Sequence, residues 1–347
     1  MNLYEFIYNM TLYFTFMGLI IILISAFIMY MTYNYIIDTW FSNKGQVSYD
    51  TLIKQIQTVS KDNYFMNYGL WESQGSQGSE GSEGSEGSEG SEGSEGSEGS
   101  EGSEGSEGSE GSEGSPGFDL KDANTRLVEY LFDKGEIANK KNLNIFDVGC
   151  GYGEQHTVWS KNLDNSCKIT AIDISEKQIE YARRKNPRVS YDVCDVANIS
   201  KNYPANSYDR VFCVESAFHY KERQAFFRDV KNLLKKGGRF IISDITLKDS
   251  YRPSIIDNIF IDIFSGFLHF PNINMIKANE WESQLSSQFK VIEFVDITEK
   301  TFPPYYMHFV HTYIRNLHFP QWMAKLLSPL FQTYQPFSYR VAILEKS

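Results

Sequence analysis

Cysteine is scarce in this sequence, and so are the patterns that cysteine forms in metal sites and disulfide scaffolds. Only four cysteines occur among the 347 residues, at positions 150, 167, 194 and 213, and none belongs to a C-x-x-C pair. Three histidines near the C-terminus also lack accompanying Cys or Asp at metal-binding spacing: His308, His311 and His318. The sequence therefore predicts no metal site, and it predicts reduced cysteines that pack in the core.

A basic surface stripe is also absent, so no nucleic-acid partner is predicted. The net charge of −11 is no guide to partners, because twelve glutamates recur at every third position from residue 80 to residue 113. Without these glutamates the net charge changes from −11 to about +1. The acidity of the chain belongs to this repeat and says nothing about what the rest of the protein binds.

The Gly-Ser-Glu repeat runs without a break from Gly78 to Glu113 and contains no apolar residue. Such a segment cannot bury surface to offset the entropy of ordering, so residues 75–116 are predicted to be disordered. Glycine at every third position is also typical of collagen, but collagen is rich in proline at the other two positions, which here carry only Ser and Glu. We therefore interpret the repeat as a flexible, self-repelling linker.

Charged residues are missing between Glu5 and Asp38. About 20 apolar residues cross a bilayer as a helix. Residues 1–40 are therefore predicted to be a membrane anchor, with a transmembrane helix over about residues 14–35. A cleaved signal peptide would need a basic start and a small-x-small cleavage site, which are absent, and the uncharged run is too long for a buried core helix. Lys44, Lys54 and Lys61 follow the span. This asymmetry favours a single pass with the catalytic part in the cytoplasm.

A glycine-rich turn follows an apolar segment in the middle of the chain. The segment Asn144–Gln155 reads Asn-Ile-Phe-Asp-Val-Gly-Cys-Gly-Tyr-Gly-Glu-Gln. Its glycines permit positive φ and a close approach of the backbone to a ligand, as in the nucleotide sites of parallel α/β proteins. Glu154 stands where a dinucleotide loop has its third glycine, and no Gly-Lys-Ser/Thr follows. A cationic ligand therefore suits this turn better than a pyrophosphate does.

This segment resembles motif I of the class I S-adenosylmethionine (SAM)-dependent methyltransferases, and specifically their small-molecule type, which includes ubiquinone, sterol and phosphoethanolamine methyltransferases. Four further segments resemble that family in the same order, over residues 168–175, 189–196, 208–219 and 233–244. The resemblance implies an α/β fold, a Rossmann-like seven-stranded class I methyltransferase sheet with helical lid insertions, here preceded by one transmembrane helix. Segments Lys290–Thr298 and Phe337–Glu345 would complete the sheet, the last as an antiparallel edge partner of the fifth strand.

The resemblance also implies that SAM is the cofactor and which residues hold it. Asp173 would accept hydrogen bonds from the ribose diol, since an ionised carboxylate only accepts. Asp195 would receive the adenine amino group beside the apolar side chain of Val196. The implied cofactor-binding residues are Asp147, Gly149, Cys150, Gly151, Gly153, Gln155, Asp173, Ile174, Asp195, Val196 and Glu215.

Segments on both sides of this core have counterparts in the same family. Asn63–Glu72 resembles the N-terminal lid, so residues 41–74 are predicted to be a lid-like helical segment and residues 117–347 the methyltransferase core. Ile255–Phe270 resembles a helical cap inserted after the fifth strand. The aromatic segment Tyr305–Phe337 is interpreted as a lid over an apolar acceptor, as a helix at a membrane interface, or as ordinary core.

Phe302–Tyr305 contains a Pro-Pro-Tyr sequence similar to that of amino-methyltransferases that act on nucleic acid. In those enzymes the sequence follows the fourth strand, whereas here it comes after the sixth. We therefore predict that it forms a turn and has no catalytic role.

Two residues are candidate general bases. An oxygen or carbon acceptor must lose a proton when it is methylated, and a base near neutral pKa serves this purpose. His219 follows the fourth strand in an Ala-Phe-His sequence that carries such a role in similar methyltransferases, although a structural histidine that caps the strand is the alternative. Asp244, at the end of the fifth strand, is the second candidate.

The expected function is that of a membrane-anchored SAM-dependent methyltransferase that acts on a small, apolar or amphipathic, lipid-like acceptor. A membrane-tethered SAM-binding protein without turnover is the main alternative, and methylation of a protein is a third. None of the motifs identifies the acceptor or the atom that is methylated.

Overall fold

The computed structural model describes residues 64–71, 119–252, 270–316 and 336–347. The predicted membrane span, the Gly-Ser-Glu repeat and all of the predicted cap except Phe270 lie outside these residues. Within these ranges, no helix is long and apolar enough to cross a membrane.

Strands and helices alternate along most of the described chain. The strands are β1 (Asn144–Val148), β2 (Lys168–Asp173), β3 (Ser190–Val193), β4 (Tyr208–Val214), β5 (Leu234–Leu247), β6 (Lys290–Asp296) and β7 (Phe337–Glu345). The helices are α1 (Leu120–Lys134), α2 (Glu154–Trp159), α3 (Glu176–Lys185), α4 (Ile199–Asn202), α5 (Arg223–Leu233), α6 (Ala278–Ser286) and α7 (Thr298–Asn316). Short 3-10 turns lie at Val196–Asn198, Ala217–His219 and Asn272–Asn274.

The seven strands form one mixed sheet in the order β3-β2-β1-β4-β5-β7-β6. Strands β1 to β5 pair in parallel, while β7 runs antiparallel to both β5 and β6. The order places β1 and β4 side by side although two strands separate them in sequence. This reversal of strand order is the point at which α/β folds form ligand clefts. The predicted Rossmann-like seven-stranded sheet is confirmed.

Two details of the prediction are wrong. Strand β7 is not an edge strand, because it lies between β5 and β6, which leaves β6 at the edge. Pro303 and Pro304 do not form a turn but lie inside α7. A proline at 304 has no N–H for the carbonyl of Lys300 four residues earlier, and that carbonyl accepts instead from the Trp71 backbone N at 2.7 Å. The helix therefore continues through the prolines while a neighbouring segment bonds the freed carbonyl.

Helix α3 shows why these sequences form helices at these positions. The Ser175 side chain accepts from the Gln178 backbone N at the N-terminus, and Glu176 lies in the first turn. Three basic residues occupy the last turn, where they oppose the negative end of the helix dipole: Arg183, Arg184 and Lys185. Ile179 and Ala182 turn inward and are buried against the sheet.

The core lies on both faces of the sheet. Successive side chains of a strand point to opposite faces, and here Ile145 and Phe146 belong to separate buried clusters. One cluster contains side chains of α1, α2 and α3, and the other contains side chains of α4, α5 and α6. The domain is therefore a three-layer α/β/α sandwich.

Residues 64–71, which we call the strap, lie across the carboxyl-end side of this sandwich. The Leu70 backbone N donates to Ala123 O in α1 at 2.8 Å, and Asn124 hydrogen-bonds to Asn67. Gly69 has a φ of +78°, and a Cβ at this position would lie 2.7 Å from Ala123 Cβ. Backbone hydrogen bonds thus fix the strap to α1 and α7. The close contact with α1 at position 69 requires glycine.

Substitution of Gly69 tests this docking. Gly237→Ala is a matched control, because Gly237 has a similar φ of +73° but open space around it. Each substitution places alanine in the left-handed region at a cost of about 1–2 kcal/mol, and Gly69→Ala adds overpacking of roughly 1–3 kcal/mol. We expect the larger loss of unfolding free energy for Gly69→Ala, with faster amide exchange in residues 64–71. Equal losses and unchanged exchange would contradict the proposed packing.

Candidate functional site

A cleft opens at the carboxyl ends of β1, β2 and β4, with the strap along one side. Its empty space is about 470 Å³ including the open mouth. The lining residues come from six parts of the chain: the strap, the turn after β1, the start of α2, the end of β2, the end of β4, and α3. They are Tyr64, Met66, Asn67, Gly149, Cys150, Gly151, Tyr152, Gln155, Asp173, Gln178, Val214, Glu215 and Ser216.

The glycine turn forms one wall of the cleft. The backbone N atoms of Gly149 and Cys150 both donate to Ile172 O in β2, at 2.8 and 3.0 Å. A Cβ on Gly149 would lie 2.3 Å from Ser216 Oγ, so the turn also packs tightly against the end of β4. Beside Gly151, by contrast, a Cβ would meet nothing nearer than Met66 Cγ at 3.7 Å. The turn is closely packed at its start and open to the cleft at its middle.

Asp173 faces the cleft from the end of β2. Its Oδ2 accepts from the Gly151 backbone N and its Oδ1 from the Ser175 backbone N, both at 2.9 Å. These bonds fix the carboxylate in place and leave it some acceptor capacity for a ligand. Burial raises the pKa of this carboxyl, although the backbone N–H donors of Ser175, Gly151 and Ile174 oppose that shift.

Asp147 lies beneath the turn and is fully buried. Its Oδ2 accepts from Gln155 Nε2 at 2.8 Å and lies 2.9 Å from His156 Nε2. The other ring nitrogen of His156 lies 2.7 Å from Tyr191 Oη. Asp147 Oδ1 has no hydrogen-bond donor among the described residues. This carboxylate therefore supports the turn from below and retains one unused acceptor.

Glu215 is the second acid that lines the cleft, directly after β4. Only 6% of the residue is exposed, and its φ of +48° is uncommon for any residue except glycine, Asn or Asp. Its Oε1 accepts from the Tyr68 backbone N of the strap at 2.8 Å and from Tyr339 Oη of β7 at 2.5 Å. Glu215 thus joins the cleft, the strap and the antiparallel part of the sheet.

Burial is the main reason that the pKa of Glu215 rises to about 8. The hydrogen bonds from Tyr339 and from the Tyr68 backbone oppose the rise, and the charge of Asp244 adds to it. The pKa of Tyr305, a half-buried residue of α7, is raised to about 12 by desolvation and by the charge of Glu215.

The structure brings together six of the residues named as cofactor-binding, which line the cleft: Gly149, Cys150, Gly151, Gln155, Asp173 and Glu215. Asp147 and Gly153 support the turn from behind, the latter as the left-handed residue that precedes α2. Ile174, Asp195 and Val196 lie beyond the lining, at the neighbouring ends of β2 and β3. Ile174 is 59% exposed, and the Asp195 side chain accepts from Ala197 N.

His219 lies at the end of the 3-10 turn that follows β4. Its ring packs against Phe218 and Phe270, with centroid distances of 4.2 and 5.4 Å. The buried side chain of Asn274 holds this turn by donating from Nδ2 to the carbonyls of Phe218 and Tyr220, at 2.9 and 2.8 Å. A residue more than 50 positions further along the chain therefore fixes the backbone that carries the candidate base.

Asp244 has a different environment from His219. It is fully buried, and its Oδ2 accepts from Arg223 Nη1 at 3.1 Å and from Trp281 Nε1 at 2.9 Å. Arg223 also donates to the carbonyl of Asn274 at 3.4 Å. This geometry favours a role in which Asp244 supports the turn of His219 through Arg223. Neither Asp244 nor His219 is among the residues that line the cleft.

Sequence reasoning named the strap as a lid but did not assign any of its residues to the site. Tyr64, Met66 and Asn67 line the cleft, and Tyr64 stacks on Tyr181 of α3 with a centroid distance of 4.6 Å. Tyr339 was also missed, because it lies 124 residues from Glu215 in sequence. Strand β7 is buried on both faces, so its sequence pattern does not indicate that Tyr339 meets this carboxylate. The part of the chain that the structure describes contains no cluster of potential metal ligands.

The pKa of Glu215 leads to a prediction about stability. Between its ordinary value of 4.5 and about 8, the folded protein holds a proton that the unfolded chain has released. The free energy of unfolding should therefore fall as pH rises through this window, by up to about 1.4 kcal/mol per pH unit. Glu215→Gln keeps an oxygen acceptor but cannot titrate, so its stability should vary less with pH.

Urea denaturation between about pH 5 and pH 8 measures this difference, since the midpoint and slope give the unfolding free energy. Glu180→Gln, on the exposed side of α3, is the matched control and should follow the wild-type curve. Parallel curves for wild type and Glu215→Gln would show that Glu215 does not titrate in this range.

Most of the residues that line the cleft lie in a part of the chain that matches a known protein family. The family model described as a methyltransferase domain matches residues 146–242, from β1 to β5. The model of the collagen triple helix repeat matches residues 69–122, which follows from glycine at every third position. Of that match, the described residues belong to the extended strap and to the start of the helix α1.

Methyltransferase GfsG from Streptomyces halstedii is 24% identical over 192 residues, which are 53% of this chain and 65% of that protein. The chain spans less than two thirds of the length of the first curated relatives that it matches. Among solved structures, the cyclase SpnF has a TM-score of 0.56 at 17% identity, over 86% of this chain and 93% of its own. Geranyl diphosphate methyltransferase in complex with SAM has a TM-score of 0.52 at 17% identity, over 66% of this chain and 87% of its own.

The residues of the cleft fit SAM. Two carboxylates, Asp173 and Glu215, line a space that a side chain at Gly151 would begin to fill, and Asp147 keeps an acceptor beneath it. Acceptor oxygens suit the ribose hydroxyls, the ammonium and the sulfonium of this cofactor. Together with the family match, this geometry identifies residues 146–242 as a SAM-dependent methyltransferase domain.

Proposed function

We propose that the whole protein is a membrane-anchored methyltransferase that moves the methyl group of SAM to a small, apolar or amphipathic acceptor. The observation that carries this proposal is the cleft at the reversal of strand order, where a glycine turn and two fixed carboxylates meet. The same stretch of chain matches the methyltransferase domain family.

The chain's own residues have distinct tasks in cofactor binding. Asp173 accepts from the ribose diol, and its two backbone donors hold it in the required orientation. Asp195 and Val196 receive the adenine, as the family resemblance implies, and Ile174 offers exposed apolar surface at the neighbouring strand end. When bound, SAM supplies an activated methyl group. The protein therefore needs mainly to orient the acceptor and to exclude water.

The strap performs part of that exclusion. Met66 lies over the glycine turn, where Gln178 Nε2 is 3.5 Å from its sulfur. Tyr64 packs between Tyr152 and Tyr181, with centroid distances of 5.4 and 4.6 Å. These apolar and aromatic side chains close the cleft on the side of the glycine turn, so water entry there requires movement of the strap.

His219 is the proposed general base. It lies on the turn directly after β4, the strand whose end lines the cleft, and Asn274 fixes this turn. In this role its ring accepts the proton that an acceptor hydroxyl loses when the methyl group arrives. Asp244 acts through Arg223 and Asn274 as a positioning residue, because its carboxylate is buried against Arg223 and Trp281.

Membrane attachment would limit the range of molecules that can serve as the methyl acceptor. The uncharged segment over about residues 14–35 supports an anchor, and the lysines that follow it support a cytoplasmic catalytic part. Tethering raises the effective concentration of an enzyme near molecules in the bilayer. A lipid-like acceptor follows from this reasoning, whereas the cleft alone does not specify one.

The second candidate is a SAM-binding protein that does not transfer a methyl group. The observation in its favour is the similarity in fold to the cyclase SpnF, which extends over 86% of this chain. That similarity concerns the fold alone, because the identity is 17%. Methylation of a polypeptide is a third and weaker option.

Two measurements on the full chain test these alternatives. Calorimetry with SAM should show one site per chain, and absence of binding would contradict both leading candidates. Incubation with methyl-labelled SAM and a membrane lipid extract should then transfer label to extractable small molecules. Label that enters only polypeptide would favour the third option, and binding without any transfer would favour the second.

His219→Ala tests the assignment of the base. If His219 takes the acceptor proton, turnover should fall by roughly 10²- to 10⁴-fold while SAM affinity stays near the wild-type value. His308→Ala is a control, because His308 packs on Trp71 of the strap at a centroid distance of 5.2 Å, away from the turn after β4. Unchanged turnover in His219→Ala would mean that another group serves as the base.

A further inference from the structure

Glu215 is a buried acid whose partners in the described part of the chain are all uncharged donors. The Tyr68 backbone N and Tyr339 Oη both bond to the same oxygen, Oε1. The cleft that Glu215 lines contains a second acid, Asp173, and its lining includes no Lys, Arg or His among the described residues. Arg223, a buried cation of α5, is paired with Asp244.

The cost of this arrangement indicates a function. A carboxylate that is removed from water without a cation is unfavourable, because burial penalises the charged form. The φ of +48° at Glu215 adds backbone strain. A neutral glutamine would also accept hydrogen bonds from a hydroxyl and a backbone N–H, so these bonds alone do not explain an acid at this position.

A ligand with a positive charge explains the acid. SAM carries a sulfonium cation, whereas the product S-adenosylhomocysteine (SAH) has a neutral thioether at the same place. In the transfer, the bond from sulfur to the methyl carbon breaks with its electron pair left on sulfur, and a bond from the acceptor to that carbon forms. The acceptor's proton passes to the base. The charge that entered the cleft with SAM is therefore absent from SAH.

We propose that Glu215 is the residue by which the cleft distinguishes SAM from SAH, through the charge on the sulfur. This inference rests on the proposed function, since it requires that the cleft binds SAM. It adds that the preference for substrate over product resides in one side chain, and that this side chain compensates charge without taking the acceptor's proton.

Protonation of Glu215 provides a second way to test the proposal. Without a cation beside it the pKa of Glu215 is about 8, so the carboxyl holds a proton near neutral pH. The groups that face it are Tyr68 of the strap, Tyr305 of α7, Tyr339 of β7 and Asp244 of β5, none of them a cation. A sulfonium lowers the pKa of Glu215 and displaces this proton, whereas a neutral thioether does not.

An alternative role for Glu215 is purely structural, as the acceptor that fastens the strap. Two variants separate the roles. Glu215→Gln removes the charge and keeps an oxygen for Tyr68 and Tyr339. Tyr339→Phe keeps the charge and removes the hydroxyl that bonds to Glu215. A structural role predicts that each variant changes SAM and SAH binding alike.

The experiment is calorimetric titration of the full chain with SAM and with SAH, in wild type and in both variants. For Glu215→Gln we expect SAM affinity to fall by roughly 10- to 100-fold, and SAH affinity by less than about threefold. Retained SAH binding also shows that the variant is folded. For Tyr339→Phe we expect the ratio of the two affinities to stay within about threefold of wild type.

Measuring the SAM and SAH affinities of the wild type as a function of pH is a test that does not depend on a folded variant. SAM affinity should rise by up to about tenfold per pH unit between about pH 6 and pH 8, relative to SAH. SAM and SAH share the same amino-acid end, and the Glu215→Gln variant over the same pH range shows how much of the pH dependence comes from the ligands themselves. An affinity ratio that is independent of pH and of the Glu215→Gln substitution would overturn the inference while leaving SAM binding intact. Absence of binding by either ligand to wild type would overturn the proposed function as well.

Discussion

The site depends on one backbone constraint, the sharp turn after β1 that passes over the end of β2. Two successive backbone N–H groups of the turn, at 149 and 150, bond to the same carbonyl of Ile172, and the next donates to Asp173. Gly149, Gly151 and Gly153 adopt φ values of +74°, +54° and +70°, which glycine reaches without strain. The turn therefore connects the first two strands and fixes the first acid of the cleft with the same set of bonds.

The sequence predicted the parts of this architecture that depend on local chemistry. The strand, glycine turn and acid at Asp173 follow from residue types that lie within 30 positions of one another, and the structure has them where the pattern indicated. The partners that come from distant segments could not be predicted in this way. Asn274 and Tyr339 are an ordinary polar residue and a strand tyrosine in the sequence, and only the tertiary fold brings them to His219 and Glu215.

The wrong prediction for Pro303 and Pro304 has the same origin. A pair of prolines after a strand indicates a turn when only local preferences are considered, because proline removes a helical hydrogen bond. Here the strap compensates, since Trp71 donates to the carbonyl of Lys300 that Pro304 leaves without its helical partner. The break in one element is thus the docking point of another. The sequence shows the break but not the segment that fills it.

Glu215 couples the strap to the charge in the cleft. The strap is held at its centre by the same carboxylate oxygen that Tyr339 bonds, so the strap, β7 and the cleft share one group. Any ligand that draws negative charge onto this carboxylate also strengthens its hydrogen bonds to the strap, because bonds to an ionised acceptor are roughly twice as strong as neutral ones. Under the proposed function, a cationic cofactor would therefore tighten the cover over its own cleft, and loss of the charge on methyl transfer would loosen it. Closure and charge recognition would then be a single physical event, centred on a residue that the fold keeps buried and strained.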